Sequence, residues 1–295
     1  DRLRSRGLGD VYKRQTETYS EELVWGSRST ADAFVLRTYP DILGLYHDFW
    51  GDDQITLNTI LRQSCPGEAR DLINREHDFG FNKFSIIRRC NLIIEQASAS
   101  TALSDLDKKE LVAEGKMLRA MIYYYQAKHC GRVIWVDRVL QVDDEFNLPL
   151  TESIDRTYDL ILSDLDDAIA GLPEEYPAGR ANANAARALK SEVCLTAAAY
   201  TTDATRKKTL WEQAVVAVDA IQGYSLDANY GGMFNQENSY SSTEIILARY
   251  FSKENTNGGD TYMQTVIPNQ GNDNLKKLGL SLIHISEPTR PEPIS

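Results

Sequence analysis

Apolar residues recur at helical spacing through most of this chain. Between Ser104 and Gly131, one row holds Leu111, Leu118, Ile122 and Tyr125, and Met117, Met121 and Tyr124 form a second row beside it. Together they make a broad apolar stripe on a long helix. Asp107 followed by Glu110 reads as an acidic variant of a capping box at its start, and Gly131, without a Cβ, as its stop. Phe84, Ile87, Asn91 and Ile94, with Ile86, Cys90 and Ile93 alongside, predict a helix before it, with Asn91 as a buried amide that satisfies neighbouring backbone groups. From Thr151 to Gly171, Ile154, Tyr158, Ile161, Leu162, Leu165, Ala168, Ile169 and Leu172 make one face. Asp155, Asp159, Ser163 and Asp166 make the other, a solvated one, and Gly171 and Pro173 close the helix.

The stretch Gly179 to Tyr200 is rich in alanine, which lets two helix backbones approach closely. Leu210, Ala214, Ala217, Val218 and Ile221 mark a further helix ending at Gly223. Near the start, Ser20 to Tyr46 reads as one helix with a break at Pro40, its apolar positions including Trp25, Ala33, Leu36 and Leu43. Glu244 to Phe251 reads as a short strand, and Gln63 to Phe79 as an irregular surface segment of the kind that carries binding groups. Consecutive hairpins of this kind predict a mainly all-α fold of tetratricopeptide-like stacked helical hairpins, with loop-rich insertions and a few short strands.

Six ordered segments resemble signatures of the SusD/RagB-like family, nutrient-capturing surface lipoproteins of Bacteroidetes. Ala113 to Ala120, Tyr123 to Tyr125 and His129-Cys130-Gly131 resemble the family's AEARFLRAYYYF…YG, with Gly115 for an Ala and Cys130 for a Tyr. FSIIRRCNLIIEQA, from Phe84, resembles YxxIRRCNxxIE. Tyr158, Ile161, Asp164, Leu165, Ala168, Leu172 and Pro173 follow YxxIxxDLxxAxxxLP, and Gly179 to Tyr200 resembles GRxTxxAAxALxAxVxLxAA. Tyr224 to Asn235 and Ser241 to Phe251 resemble YxLxxxYxxLF and NxEIIF. Gly51-Asp52-Asp53 resembles the GDE/GDD that follows the family's first helix, and Arg132 to Leu140 its GxxPLV connection without the Pro. The likeness runs from about residue 20 to 275.

The resemblance implies non-catalytic capture of an oligosaccharide or polysaccharide at the cell surface. It also implies hand-over to a SusC-like, TonB-dependent β-barrel transporter, and attachment to the outer membrane through a lipid anchor upstream of this stretch. No cofactor is expected. The alternative is a tetratricopeptide-type protein-protein interaction scaffold that binds peptide segments in a groove.

Charge and motifs narrow the classes further. A formal charge of −11 and a pI near 4.9 repel phosphate backbones, which argues against a nucleic-acid partner. No apolar run is long enough to span a bilayer as a helix. Cys65, Cys90, Cys130 and Cys194 lack metal-ligand spacing, and Cys90, Cys130 and Cys194 fall in or beside helical stripes, as buried free thiols would. Neither HExxH, Walker A nor GxSxG occurs, and Asp52 and Asp53, adjacent in the chain, cannot flank a scissile glycosidic bond. Those aspartates and the Asn257 to Asp260 turn read as solvated acidic turns rather than metal sites.

The two ends differ from the rest. Residues 1–15 are basic and residues 281–295 rich in proline, and both resemble translated sequencing-adaptor read-through, with residues 16–280 as a single helical domain cut at both ends. Glycan recognition needs exposed aromatic faces edged by amide, carboxylate or guanidinium groups. Trp50, Phe79, Tyr250 and Tyr262, near loops, are the candidate platforms, with Tyr240 beside them, and Asn74 and Arg75 the candidate polar edges. Tyr123 to Tyr125 belong to the long helix and are expected to pack.

Overall fold

A computed structural model of the protein describes residues 21–47, 82–231 and 242–250. By contact the chain divides into a unit ending at Arg249 and a second beginning at Tyr250; the helices described here all belong to the first. Among the described residues the ordered elements are helices alone. Three short ones, α1 (Glu21–Val24), α2 (Arg28–Leu36) and α3 (Tyr39–Leu43), precede a 3-10 turn at Leu45–His47. Five longer ones follow: α4 (Phe84–Ala99), α5 (Asp105–Cys130), α6 (Ile154–Gly171), α7 (Ala183–Tyr200) and α8 (Ala204–Asp219). Each of these packs chiefly on its neighbours in sequence, α4 on α5, α5 on α6, α6 on α7 and α7 on α8, so the hairpins stack in chain order. That is the expected all-α, tetratricopeptide-like arrangement.

The helix starts are written locally. Ser27, Ser104, Ser153, Asn182 and Asp203 each accept a backbone N–H of the first turn of α2, α5, α6, α7 and α8. For α5 the capping pair is Ser104 with Asp107, not Asp107 with Glu110: the Asp107 N–H donates to Ser104 Oγ at 3.1 Å. Ser104, which adopts extended backbone, is the residue free to cap; Asp107 is already inside the helix. Gly131, at φ 74°, stops α5 in a conformation that side chains with a Cβ rarely adopt.

The single N-terminal helix expected from Ser20 to Tyr46 is three. Ser27 caps a new start after Gly26, and Pro40 stands in the first turn of α3, where its missing N–H costs nothing, rather than breaking a helix already formed. Residues 244–250 carry no strand, and the connection from Arg132 to Leu140 is extended without being part of a sheet.

One core runs through the stack. Ile87, Cys90 and Ile93 of α4, Leu111, Met117, Leu118, Ile122, Tyr123 and Tyr124 of α5, Tyr158, Ile161 and Leu165 of α6, and Val193, Cys194 and Ala197 of α7 are all buried in it. Cys90, Cys130 and Cys194 are free thiols. Burial pushes Cys90 up to about 12 and Cys194 up to about 11, which keeps both unreactive. Cys130, expected to be buried, is exposed, because it lies in the last turn of α5 beyond the apolar stripe.

The packing is closest where side chains vanish. A Cβ added at Gly171 would lie 2.5 Å from Ala113 Cβ and 3.2 Å from the Lys109 carbonyl oxygen, so α5 and α6 touch almost backbone to backbone. Backbone cannot retreat as a side chain can, so Gly171→Ala is expected to cost about 1–3 kcal/mol of stability, read as a lower denaturation midpoint with an unchanged m-value.

Candidate ligand-presenting site

A buried ion pair sets the position of the loop after α5. Arg119 of α5 donates from Nε and Nη2 to the two carboxylate oxygens of Asp164 of α6, both at 2.7 Å. Its Nη1 donates to Asn91 Oδ1 of α4 at 2.9 Å and to the Asp137 carbonyl at 3.1 Å. Asn91 in turn donates from Nδ2 to the Val136 and Arg138 carbonyls, each at 2.9 Å. Asn91 thus fills the amide role expected of it, whereas Asp164, on a helix whose aspartates read as solvated, is buried.

Residues 132–140 are therefore held by side chains in place of a sheet. The Val136 N–H donates to Tyr123 Oη at 2.6 Å, the Val139 N–H to Glu95 Oε1 at 2.7 Å, and Trp135 stacks on Tyr123 with ring centroids 4.2 Å apart. The next residues leave the scaffold as a tight turn. The Asp144 N–H donates back to the Gln141 carbonyl at 3.1 Å, and the Gln141 N–H to Asp144 Oδ2 at 2.6 Å. Arg138 grips the same carboxylate from both Nη atoms at 2.7 and 2.9 Å. The Arg138 guanidinium and the Gln141 N–H hold the Asp144 carboxyl at about 2.

A second network fastens the N-terminal helices. Glu114 of α5 is fully buried and accepts from Arg180 Nε and Nη2 at 2.8 and 2.6 Å, and from Tyr39 Oη at 2.5 Å. Tyr39 Oη also accepts the Ala181 N–H at 3.0 Å. Arg180 Nη2 reaches Asp32 at 2.6 Å, and Arg28 joins Asp32, Asp107 and Glu110 within 2.9 Å. Every buried charge is thus paired and hydrogen-bonded, the condition under which burial is tolerated. Tyr46 Oη, donating to the Met121 carbonyl at 2.7 Å, ties the 3-10 turn to α5.

Of the expected binding residues, Trp50, Asn74, Arg75, Phe79, Tyr240 and Tyr262 lie outside the described residues. Tyr250 is half-buried and belongs to the second unit. Tyr123 and Tyr124 are buried packing, as expected, and Tyr125 half-buried. The most exposed aromatic rings among the described residues are Tyr230 (73%), Phe146 (64%) and Trp211 (52%), none of which periodicity or resemblance singles out as a platform. A cleft of about 580 Å³ between α6 and α8 is lined by Asp159, Ser163, Asp166, Asp203, Arg206 and Gln213 among others, without an aromatic side chain. Among the described residues no cluster of three His, Cys, Asp or Glu side chains is arranged to hold a metal, and no helix is long and apolar enough to cross a membrane.

Known proteins resemble this stretch. No family model matches the chain. A SusD-like protein of Bacteroides ovatus is 26% identical over 172 residues, which is 57% of this chain and 31% of that protein. The crystal structure of a SusD-like protein from Bacteroides fragilis is 32% identical, with a TM-score of 0.50 over 58% of this chain and 33% of its own. A second Bacteroides fragilis structure, described as a SusD-like carbohydrate-binding protein, shares the fold at TM-score 0.57 and 19% identity, over 77% of this chain and 47% of its own. Over this stretch the chain is similar to SusD-like proteins in sequence and in fold. It spans about a third of the length of the curated relative and of the first of these structures.

Acid should loosen the second network at Asp32. Partial burial opposes ionisation of Asp32, but Arg180 and Arg28 outweigh it and hold the carboxyl below its usual range. A carboxyl with a depressed folded pKa contributes stability above its unfolded pKa of about 3.9 and loses it as pH falls through the folded value. Asp32→Asn is expected to cost about 1–2 kcal/mol at pH 7, in urea melts, with the gap to the native chain closing progressively below pH 4. A gap constant between pH 7 and pH 2.5 would show that the charge on Asp32 contributes nothing.

Proposed function

We propose that this protein captures an oligosaccharide or polysaccharide at the cell surface and passes it, uncleaved, to a SusC-like TonB-dependent β-barrel transporter of the outer membrane, to which a lipid anchor holds it close. The observation that carries this reading is the agreement of sequence and fold with SusD-like proteins over the same hairpin stack, one neighbour in fold being described as carbohydrate-binding. A stack of helices held by buried, fully paired charges is a rigid support, and rigid supports carry binding groups on their loops. Trp50, Phe79, Tyr250 and Tyr262 are the proposed platforms and Asn74 and Arg75 the proposed edges. The chain is non-catalytic in this reading, with residues 16–280 acting as one binding domain.

A second reading, a tetratricopeptide-type interaction scaffold, draws on α8. Its residues Trp211, Val215 and Val218, spaced four and three apart, are exposed on one side of that helix and would suit an apolar peptide.

Affinity electrophoresis of the full-length protein in gels containing laminarin, xyloglucan, amylopectin or galactomannan tests the first reading. At least one polysaccharide should retard the protein without release of reducing sugar, and Trp50→Ala should weaken the affinity about fivefold, the loss of roughly 1 kcal/mol of ring contact. Release of reducing sugar by the pure protein would overturn the non-catalytic assignment.

A further inference from the structure

The turn after α5 has a construction that folding alone does not require. Several backbone groups of residues 132–140 are bonded to side chains of α4 and α5. The chain then turns at Gln141 to Asp144, closed by a two-point Arg138–Asp144 pair, one backbone bond and one bond from the Gln141 N–H to the Asp144 carboxylate, and runs on through Asn147. The groups so presented are unusual for a turn. Val142, at its apex, is 92% exposed and Phe146 64%.

Polar groups flank the ring at fixed positions. Glu145 Oε1 accepts the Asn147 N–H at 2.8 Å, which holds a carboxylate beside the residue between them, Phe146. Asp143 stands exposed on the other side of Asp144, and the Asn147 side chain, also exposed, adds an amide. An aromatic face, two carboxylates and an amide within five residues, at and just after a closed turn, are the elements a sugar ring uses: apolar CH groups on the ring, hydroxyls on the acceptors. Arg138, the only basic side chain of the turn, is occupied by Asp144. The turn therefore offers acceptors and negative charge.

We propose that the Gln141–Asn147 turn is a glycan contact separate from Trp50, Asn74, Arg75, Phe79, Tyr250 and Tyr262, in which Phe146 stacks on a sugar ring and Asp143, Glu145 and Asn147 receive its hydroxyls. It selects neutral glycans, since uronates and sulfates would meet Asp143 and Glu145 as like charges. This inference rests on the glycan-binding reading above.

The test uses the full-length protein, the neutral polysaccharides named above and polygalacturonate as the anionic probe, in affinity gels. Phe146→Ala should weaken binding to the retarding neutral polysaccharide about fivefold, with Phe146→Tyr restoring it and far-UV circular dichroism unchanged in both. Glu145→Gln together with Asp143→Asn should raise the relative affinity for polygalacturonate. Equal retardation of the native protein and Phe146→Ala overturns the turn as a glycan contact while leaving the glycan reading intact. Retardation of the native protein by none of the probes rejects both. Unchanged glycan affinity with reduced co-purification of the β-barrel transporter would make the turn a protein contact instead, and overturn the proposal.

Discussion

The contact on which the rest of this structure depends is the bidentate pair between Arg119 and Asp164. It joins α5 to α6 directly and, through Asn91, reaches α4 and the backbone at Val136, Asp137 and Arg138. Apolar stripes alone would let three packed helices slide or rotate by small amounts, since dispersion contacts are individually weak and non-directional. A planar guanidinium that must meet one carboxylate, one amide and one carbonyl has a single arrangement. The cost of burying such charge is offset only when all partners are present, so this site links register among three helices to the path of the following loop. A loop with its backbone groups anchored in that way can project a turn without losing definition.

The Glu114 cluster does the corresponding work at the other side of α5. Tyr39, Arg180 and Glu114 bring α3, the α6–α7 connection and α5 to one point, and Arg28 and Asp32 extend the cluster to the start of α5. Three helices of nine residues or fewer would fray in isolation. Tied to a long helix by paired charges and by Tyr46, they become part of the support. The chain then enters residues 48–81, where four of the proposed glycan-binding residues lie, from a fixed starting point.

Rigidity and recognition are divided between different parts of the molecule. The helices carry closely packed small residues, such as Gly171 against Ala113 and Gly115 against Ile94, which permit a stack but offer no binding chemistry. The connections carry the exposed rings, Phe146 on the turn after α5 and Tyr230 beyond α8. In the proposed function that division is useful, because a capture protein can vary its loops toward a new glycan while the stack is unchanged.

Periodicity placed α4, α5, α6 and α8, because each carries an apolar stripe along its length and most of them a capping residue within the sequence itself, while α7 was legible from its alanines and its resemblance to a family signature. Residues such as Asn91 were legible too: an amide on an apolar face must find partners there. Asp164 was legible only as a letter of a family signature, since among the other aspartates of its helix nothing local distinguishes a buried one. Whether a carboxylate faces water or an arginine 45 residues earlier is decided by packing between helices, which spacing within one helix does not encode. The same limit applies to the N-terminal segment, where Ser27 and Pro40 begin helices that a broad apolar pattern blurred into one. It applies also to Phe146, whose exposure on the connection after α5 no periodicity announces. Helix positions and the likeness to SusD-like proteins came from the sequence, where the signal is local and repeated. The choice of buried charges, and of the side chains the loops hold out to solvent, came only from the tertiary structure, because each depends on partners distant in the chain.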